Sequence, residues 1–218
     1  MNFKSIFEIS EKKNSLGNQF REKRFSFFLK KINKMQKPVT ILDLGGKINF
    51  WENRDLAGNN EYKITIVNIE KETSIYSNIH CEIGDATNLN KFNTKSFNIV
   101  HSNSVIEHLY NFNNQSKMAS EIIRVGQKHI VQTPNKYFFI EPHYLLPFFQ
   151  FFPDKLKYLI LIKTKLSRLK KWDKNFAKQY IKEIRLLSMK EMKVLFPNSK
   201  IYFEKFLGMN KSFTMHNF

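Results

Sequence analysis

The stretch Pro38–Gly46 constrains the fold of this chain more than any other segment. It passes from a proline through the apolar run Val39–Leu44, in which Asp43 is the one charged residue, and it ends in Gly45 and Gly46. A short apolar run bounded in this way is typical of a buried parallel strand. The two glycines let the backbone turn sharply and approach a ligand closely. Since ligands of open α/β sheets bind beyond the carboxyl ends of the strands, we predict a small-molecule site at the end of this strand.

Four further strands are predicted, separated by segments of helical or loop character. They are Tyr62–Ile69, His80–Ile83, Phe97–Ser102 and Lys128–Gln132. Ile106–Val125 has the apolar spacing of a helix. Strands that alternate with helices predict a doubly wound, mostly parallel sheet of the α/β class. The first four strands each end in an acidic or small polar residue, which favours one ligand site along a single sheet edge.

The two ends of the chain are predicted to add to this sheet. Residues 1–36 are polar and basic with apolar residues at helical spacing, and they predict an N-terminal helical cap before a domain that spans 37–218. Ser188–Phe196 is predicted as a helix that Ser188 caps, because Glu191 follows three residues later. The last two predicted strands are Lys200–Phe206 and Ser212–Met215.

Residues 136–176 interrupt the alternation. The segment begins with an aromatic stretch punctuated by proline, Tyr137–Pro153, and continues with an apolar helical stripe beside many lysines. We interpret it as a helical and aromatic insertion that covers the ligand site. Apolar rings beside cationic side chains suit an amphipathic or lipid-linked ligand and an anionic membrane surface, and they equally suit an ordinary hydrophobic lid.

Composition limits which ligands, metal sites and cellular locations fit this chain. The 218 residues carry a formal net charge of +17, which fits nucleic acid, an anionic membrane surface or an acidic substrate, and also follows from a lysine-rich composition. The single cysteine, Cys81, excludes an intramolecular disulfide and a cysteine-based zinc cluster. No apolar stretch reaches the roughly 20 residues that span a bilayer. Without a secretory signal either, we expect a cytoplasmic protein, with peripheral membrane contact as the alternative.

The order of these parts resembles the class I S-adenosylmethionine-dependent methyltransferases, of the small-molecule type. The segments that carry the resemblance are Ile41–Gly46, Asn68–Glu70, Gly84–Ala86, Phe97–His108, Thr133–Asn135 and the tail from Leu195. The resemblance implies a Rossmann-like methyltransferase fold with seven strands and an antiparallel C-terminal strand. It also implies S-adenosylmethionine as the cofactor.

The resemblance further implies how the cofactor is bound. Asp43, Gly45 and Gly46 would line its methionine part, and Asp85 would accept a hydrogen bond from the adenine amino group, with Ala86 nearby. Further residues assigned to the cofactor are Asn68 and Glu70 at the ribose, and Asn103 and Ser104 beside the amino group and the sulfonium.

The loop after the first strand departs from the family pattern. Lys47 and Asn49 stand where the family commonly has further glycines. Because lysine adopts left-handed backbone angles poorly, we expect either a different loop path or weaker cofactor binding. The loop also lacks the GxGxxG fingerprint, which disfavours a nicotinamide dehydrogenase.

His143 is the predicted catalytic base, with Glu141 to orient it or to bind substrate. It follows the fifth strand, where the family places its substrate pocket, and histidine titrates near neutral pH. Glu107, His108 and Tyr144 are predicted to contact the acceptor. Glu107-His108 is similar to half of the Glu-x-x-Glu-His metal motif of ubiquinone-biosynthesis O-methyltransferases, but Ser104 replaces the first glutamate. We therefore predict no metal and expect a helix to begin there.

The sequence thus predicts methyl transfer, at oxygen, to a small molecule, a saccharide or a lipid-linked intermediate. One alternative is an RNA methyltransferase, which the positive charge favours but which no RNA-binding module supports. Another is a non-catalytic, methyltransferase-like binding protein. His101, inside the fourth strand, is expected to be a buried histidine with satisfied hydrogen bonds.

Overall fold

The computed structural model describes residues 16–218, and the first fifteen residues of the predicted N-terminal cap lie outside that range. Nine strands are formed: β1 Val39–Leu44, β2 Tyr62–Asn68, β3 Ile79–Ile83, β4 Phe97–Asn103, β5 Gly126–Pro134, β6 Ile140–Glu141, β7 Leu146–Pro147, β8 Lys200–Phe206 and β9 Met209–His216. Six α-helices accompany them: α1 Leu16–Ile32, α2 Ile48–Glu52, α3 Phe112–Val125, α4 Asp154–Lys163, α5 Lys174–Glu183 and α6 Met189–Leu195.

Seven of the strands form one sheet in the order β3-β2-β1-β4-β5-β9-β8. Strands β1 to β5 are parallel, and β9 runs antiparallel to both of its neighbours. This confirms the predicted fold class. The chain proceeds outward from β1 in one direction and then returns to its other side at β4. Such a reversal opens a crevice beyond the carboxyl ends of these strands, where α/β proteins bind ligands.

Helices cover both faces of the sheet, which explains the nearly continuous apolar character of β1 and β4. On one face, Phe28 and Ile32 of α1 pack with Trp51 of α2 against Ile41. On the other face, α3 and α6 pack against the alternate strand residues, such as Leu42. Burial of each large apolar side chain stabilises the fold by roughly 1.5–3 kcal/mol.

The predicted helix Ile106–Val125 is interrupted. Ile106–His108 forms a 3-10 turn, and α3 begins only at Phe112. Tyr110 adopts a φ of 64°, which no helix continues through, and the Asn111 side chain then caps α3 by accepting a hydrogen bond from the backbone N–H of Asn114. The single-helix prediction was therefore wrong at this point, because local backbone geometry overrides the apolar periodicity.

The predicted capping of the last helix is confirmed. The Ser188 hydroxyl accepts from the Glu191 backbone N–H, and the Glu191 carboxylate accepts from the Ser188 backbone N–H. This reciprocal pair satisfies two of the amide groups that a helix start leaves without partners.

The segment predicted as an insertion forms the β6–β7 hairpin, a short 3-10 turn and α4, and its helical layer continues through α5. This layer has a small core of its own, composed of Tyr144, Phe149, Leu161, Trp172, Ala177 and Ile181. It stands beside the carboxyl end of β5. No helix between residues 16 and 218 is long and apolar enough to cross a bilayer.

Candidate active site

The loop after β1 depends on both of its glycines. Gly45 has a φ of 73°, a conformation that L side chains rarely adopt, and a Cβ there would lie 2.5 Å from Val105 Cγ2. A Cβ on Gly46 would lie 1.8 Å from Asp43 Oδ2. Strand β1 therefore ends in a turn that packs directly on its own acidic residue and on the segment after β4.

Asp43 is buried under this turn, and both of its oxygens are occupied. Trp51 Nε1 donates to Oδ2 at 2.8 Å, and the His101 ring nitrogen Nδ1 lies 2.7 Å from Oδ1. A buried carboxylate is tolerated when it is paired and hydrogen-bonded in this way. Asp43 thus anchors the loop, and the interpretation of His101 as a buried, satisfied histidine is confirmed.

Lys47 does not strain the loop. Its φ and ψ are −132° and 153°, which is extended backbone, and Asn49 lies within α2. The positive φ falls on Gly45, so the loop follows a path that requires no left-handed conformation at Lys47, in agreement with the first of the two expectations. Lys47 instead pairs with an acidic residue, because its Nζ lies 3.1 Å from Glu70 Oε2, and both side chains are more than half exposed.

The residues predicted at the ends of β2 and β3 lie along the same edge. The Asn68 side chain donates to the Gly46 carbonyl at 2.9 Å and accepts from the Glu70 backbone N–H at 3.3 Å. It thereby fixes the loop against β2 and places Glu70 at the surface. Asp85 is exposed at the end of β3, where its side chain accepts from Thr87 N.

The end of β4 opens into a cavity of about 440 Å³. Asn103 lines this cavity, and its Oδ1 is buried without a hydrogen-bond partner among the described residues. Ser104 has a φ of 57° and donates to Gln132 Oε1 at 2.8 Å. Four cationic residues also line the cavity: Arg21, Arg24, Arg168 and Lys211. Arg24 Nη1 contacts both oxygens of the buried Glu204, at 2.8 and 2.9 Å.

Glu107, His108 and His143 converge on the wall of this cavity. Potential ligand atoms of the three side chains lie within 4.8 Å of one another. Glu107 is wholly buried and its Oε2 accepts from Thr133 Oγ1 at 2.9 Å. Its Oε1 has no hydrogen-bond partner in the described part of the chain, and His143 Nε2 lies 4.0 Å away.

In each histidine of this cluster, the ring nitrogen Nδ1 contacts a carboxylate. His143 Nδ1 lies 2.7 Å from Glu141 Oε1, and His108 Nδ1 lies 2.7 Å from Glu183 Oε1. The Nε2 atom of each ring is left for other partners. Burial lowers the pKa of His143, but the carboxylates of Glu141 and Glu107 outweigh it, so that the pKa is raised above its ordinary value.

Tyr144 does not line the cavity with the other predicted residues. It packs against Phe149 and Trp172 in the core of the insertion, and its backbone N–H donates to Glu141 Oε2 at 2.8 Å. It therefore holds Glu141, which is itself buried behind His143. Tyr180, which the sequence did not point to, does line the cavity, and burial raises its pKa to about 12.

The sequence interpretation also missed Trp51 and Glu183. Trp51 is eight residues from Asp43, and a tryptophan just after a glycine turn was an available signal for a buried donor. Glu183 lies 75 positions from His108, and no local pattern connects them.

Comparison with known proteins gives a fold, and a family-model match over part of the chain. The sequence model described as "Methyltransferase domain" matches residues 54–129. One similar solved structure is described as an S-adenosylmethionine-dependent methyltransferase from Methanosarcina mazei and is 14% identical to this chain. The match covers 84% of this chain and 93% of that chain, with a TM-score of 0.50. A putative methyltransferase from an antibiotic biosynthesis pathway of Anabaena variabilis is 15% identical, with 84% and 64% covered and a TM-score of 0.52.

A third similar structure carries a different description. A putative zinc-dependent alcohol dehydrogenase of Rhodobacter sphaeroides is 12% identical, with 99% of this chain and 98% of that chain covered and a TM-score of 0.54. At such identities the structural matches speak for the fold alone. No curated protein matches this sequence significantly.

The methyltransferase-domain model matches residues 54–129, and the seven-stranded sheet is the fold of the similar methyltransferase structures. Both findings agree with the predicted family, enzyme class and cofactor, S-adenosylmethionine. The described residues fit this cofactor. The buried, unpartnered Asn103 Oδ1 is an acceptor suited to its amino group, and the carboxylates of Glu70 and Asp85 stand at successive strand ends.

Proposed function

We propose that this enzyme transfers a methyl group to an oxygen of a small molecule, a saccharide or a lipid-linked intermediate. The observation that carries the proposal is the cavity at the end of β4. It joins Asn103 and Ser104, assigned to the cofactor, to His143, which Glu141 orients. A methyl donor at β4 and an acceptor in this cavity would meet within reach of the imidazole.

The cofactor would be held along the carboxyl edge of the sheet. The Asp43–Gly46 turn supports its methionine part, Glu70 binds the ribose hydroxyls through charge-assisted hydrogen bonds, and Asp85 with Ala86 receives the adenine. S-adenosylmethionine supplies an activated methyl group. The protein then mainly has to align donor and acceptor and exclude water.

His143 would act on the acceptor hydroxyl. The acceptor oxygen forms a bond to the methyl carbon while the sulfur–carbon bond breaks, and the hydroxyl proton passes to His143 Nε2. The Glu141 carboxylate on Nδ1 holds the ring and stabilises the imidazolium. A positioned base of this kind contributes roughly 10²- to 10⁴-fold to the rate.

The charge of the cavity supports an acceptor with an anionic group. Arg21, Arg24, Arg168 and Lys211 line it. Arg24 is paired with Glu204, and Arg168 donates to the carbonyl oxygens of His143 and Pro142. Burial lowers the pKa of Lys211, and the nearby Glu204 carboxylate partly offsets this lowering. A carboxylate or phosphate on the acceptor would supply the negative charge that this end of the cavity favours.

The outer surface of the insertion supports a lipid-linked acceptor at an anionic membrane. Leu156, Leu159 and Lys163 share one face of α4 and are exposed. Further exposed apolar residues on the insertion are Phe148, Phe151, Leu166, Leu169 and Phe176. The exposed lysines beside them are Lys155, Lys165, Lys170 and Lys171. Such a surface binds a headgroup layer through apolar side chains and lysines together.

Co-sedimentation with lipid vesicles tests the membrane part. We expect binding to vesicles with phosphatidylserine, weaker binding to phosphatidylcholine alone, and loss of binding in the Leu156→Ser, Leu159→Ser double variant. Val194→Ser, at an exposed apolar residue of α6, is the matched control. Equal retention of all three proteins would refute the membrane contact.

The transfer itself is tested with S-adenosylmethionine carrying a labelled methyl group. Calorimetry first establishes cofactor binding and its loss in Glu70→Ala and Asp85→Ala. A screen of hydroxylated acceptors, with and without an acidic group, then follows the label. We expect transfer to an oxygen, lost in His143→Gln and retained in His80→Gln, an exposed histidine. Label transferred only to RNA would favour the nucleic-acid alternative. Cofactor binding without transfer to any acceptor would favour the non-catalytic one.

A further inference from the structure

We infer that Glu107, His108 and His143 bind a divalent transition metal ion, Zn²⁺ or an ion of similar preference, in the wall of the acceptor cavity. The binding stands on the geometry of the three side chains. Its role in the reaction rests on the proposed function.

The first support is the unpartnered oxygen of Glu107. The side chain is wholly buried, and Oε1 has no hydrogen-bond partner among residues 16–218. A buried carboxylate is costly unless it is paired or coordinates a metal. The cavity lies on its open side, and the one candidate partner that approaches, His143 Nε2, is 4.0 Å away. A cation between these two atoms would satisfy both.

The second support is the way in which the two histidines are held. Metal-binding histidines almost always donate their other ring N–H to a carboxylate or carbonyl, which fixes the tautomer and the ring orientation. His143 has Glu141 on Nδ1, and His108 has Glu183 on Nδ1, each at 2.7 Å. Both rings are thereby prepared to offer a lone pair on Nε2.

The set of donor atoms indicates the class of metal. Two imidazoles and one carboxylate suit Zn²⁺, Fe²⁺ and related ions, whereas Mg²⁺ and Ca²⁺ prefer oxygen ligands. The ligand atoms lie within 4.8 Å of one another. Around zinc they would be about 3.4 Å apart, given bonds of roughly 2.1 Å in a tetrahedral arrangement. Small side-chain rotations toward the ion would close this difference.

Three protein ligands leave coordination positions open toward the cavity. An acceptor hydroxyl that binds there loses its proton to solvent more readily, since a bound metal lowers the pKa of coordinated oxygen. The resulting alkoxide forms the bond to the methyl carbon as the sulfur–carbon bond breaks, which leaves S-adenosylhomocysteine and a methyl ether. The metal then takes over the role assigned to His143 alone.

Metal content measured on the full chain tests the inference without any activity assay. Protein stripped with a chelator is dialysed against Zn²⁺ or Mg²⁺, and bound metal is counted by mass spectrometry. We expect close to one Zn²⁺ per chain, little Mg²⁺, and at least a tenfold loss of Zn²⁺ affinity in Glu107→Gln and in His108→Ala. His80→Ala is the control for adventitious binding at a surface histidine. Substitution by Co²⁺ should give the visible absorption of a nitrogen- and oxygen-ligated site.

The outcomes separate this inference from the proposed function. Folded protein that binds S-adenosylmethionine but no Zn²⁺ would overturn the metal site and leave His143 as the base. Zinc binding that survives in Glu107→Gln and His108→Ala but is lost in His80→Ala would also overturn it. Zinc bound at these residues in a protein that transfers no methyl group would uphold the site while refuting the proposed function. Circular dichroism confirms that each variant is folded.

Discussion

The proposed cofactor end and the proposed acceptor end of this protein are built in different ways. The proposed cofactor end consists of turns that directly follow strands, held by Trp51, eight residues from Asp43, and by His101 and Asn68 from the two neighbouring strands. The acceptor end is assembled from distant parts: Glu107 after β4, His143 in the β6–β7 hairpin and Glu183 at the end of α5. The first arrangement depends on backbone shape, and the second on side chains brought together by the whole fold.

Gly46→Ala should have a large effect, and only on the proposed cofactor end. The new Cβ would lie 1.8 Å from Asp43 Oδ2, so the turn or the carboxylate must move. We expect at least a 100-fold loss of S-adenosylhomocysteine affinity, or about 3 kcal/mol, measured by calorimetry. Gly208→Ala is the control, because Gly208 has a positive φ but open space around it. Equal loss in both variants would contradict the role of the turn.

Glu141→Gln should affect only the acceptor end. The glutamine amide can donate to His143 Nδ1, which would place the ring proton on Nε2 and remove the lone pair directed at the acceptor. We expect a drop in the methyl-transfer rate of roughly 10²- to 10⁴-fold and an unchanged cofactor affinity. Nitrogen NMR of the labelled imidazole reports the tautomer. A lower rate with the original tautomer would show that Glu141 acts in another way.

His129, on β5, lies outside the candidate site, and its protonation should make the stability of the fold depend on pH. Its Nε2 lies 2.6 Å from Ser199 Oγ, and burial, with help from His216 and nearby lysines, lowers its pKa from 6.5 to about 4. Between these pH values the unfolded chain binds a proton that the folded chain does not. The free energy of unfolding should therefore fall as the pH falls through this range, by up to about 3 kcal/mol.

Urea titrations at pH 7 and pH 4.5 measure this loss. The His129→Gln variant should lose less stability between the two pH values, although it starts from a lower stability at pH 7. A variant at the exposed His80 serves as the comparison. Identical pH dependence in wild-type and His129→Gln protein would contradict the assignment.

Lys47→Ala should have the smallest effect. On the proposed function, Lys47 would compete with the cofactor ribose for the Glu70 carboxylate, but the pair is exposed, and exposed pairs contribute about 0–1 kcal/mol. We expect a two- to threefold gain in S-adenosylhomocysteine affinity at low salt that disappears at about 0.5 M salt, as screening removes the interaction. Weaker binding in this variant would mean that Lys47 contacts the cofactor directly.

Sequence patterns predicted most of the sheet and the turn at Gly45 and Gly46, because apolar runs and glycine requirements are local. They also indicated His143 and Glu141, whose catalytic roles stay predictions. They failed at Tyr110, where one positive φ ends a periodic segment, and they left two alternatives open at Lys47, whose extended backbone could not be inferred from its residue type. The partnership of His108 with Glu183 joins two elements that only the folded chain brings into contact.

The position of Glu141, His143 and Glu183 has a consequence for how such an enzyme diversifies. All three belong to the layer that follows β5, so the segment proposed to shape the acceptor cavity also carries His143 and the two carboxylates that hold the histidines. Exchange of this one segment for another would alter substrate preference and chemistry in a single event, while the Asp43–Gly46 turn continued to serve the same methyl donor. On the proposed function, selectivity and reactivity would be inherited as one unit.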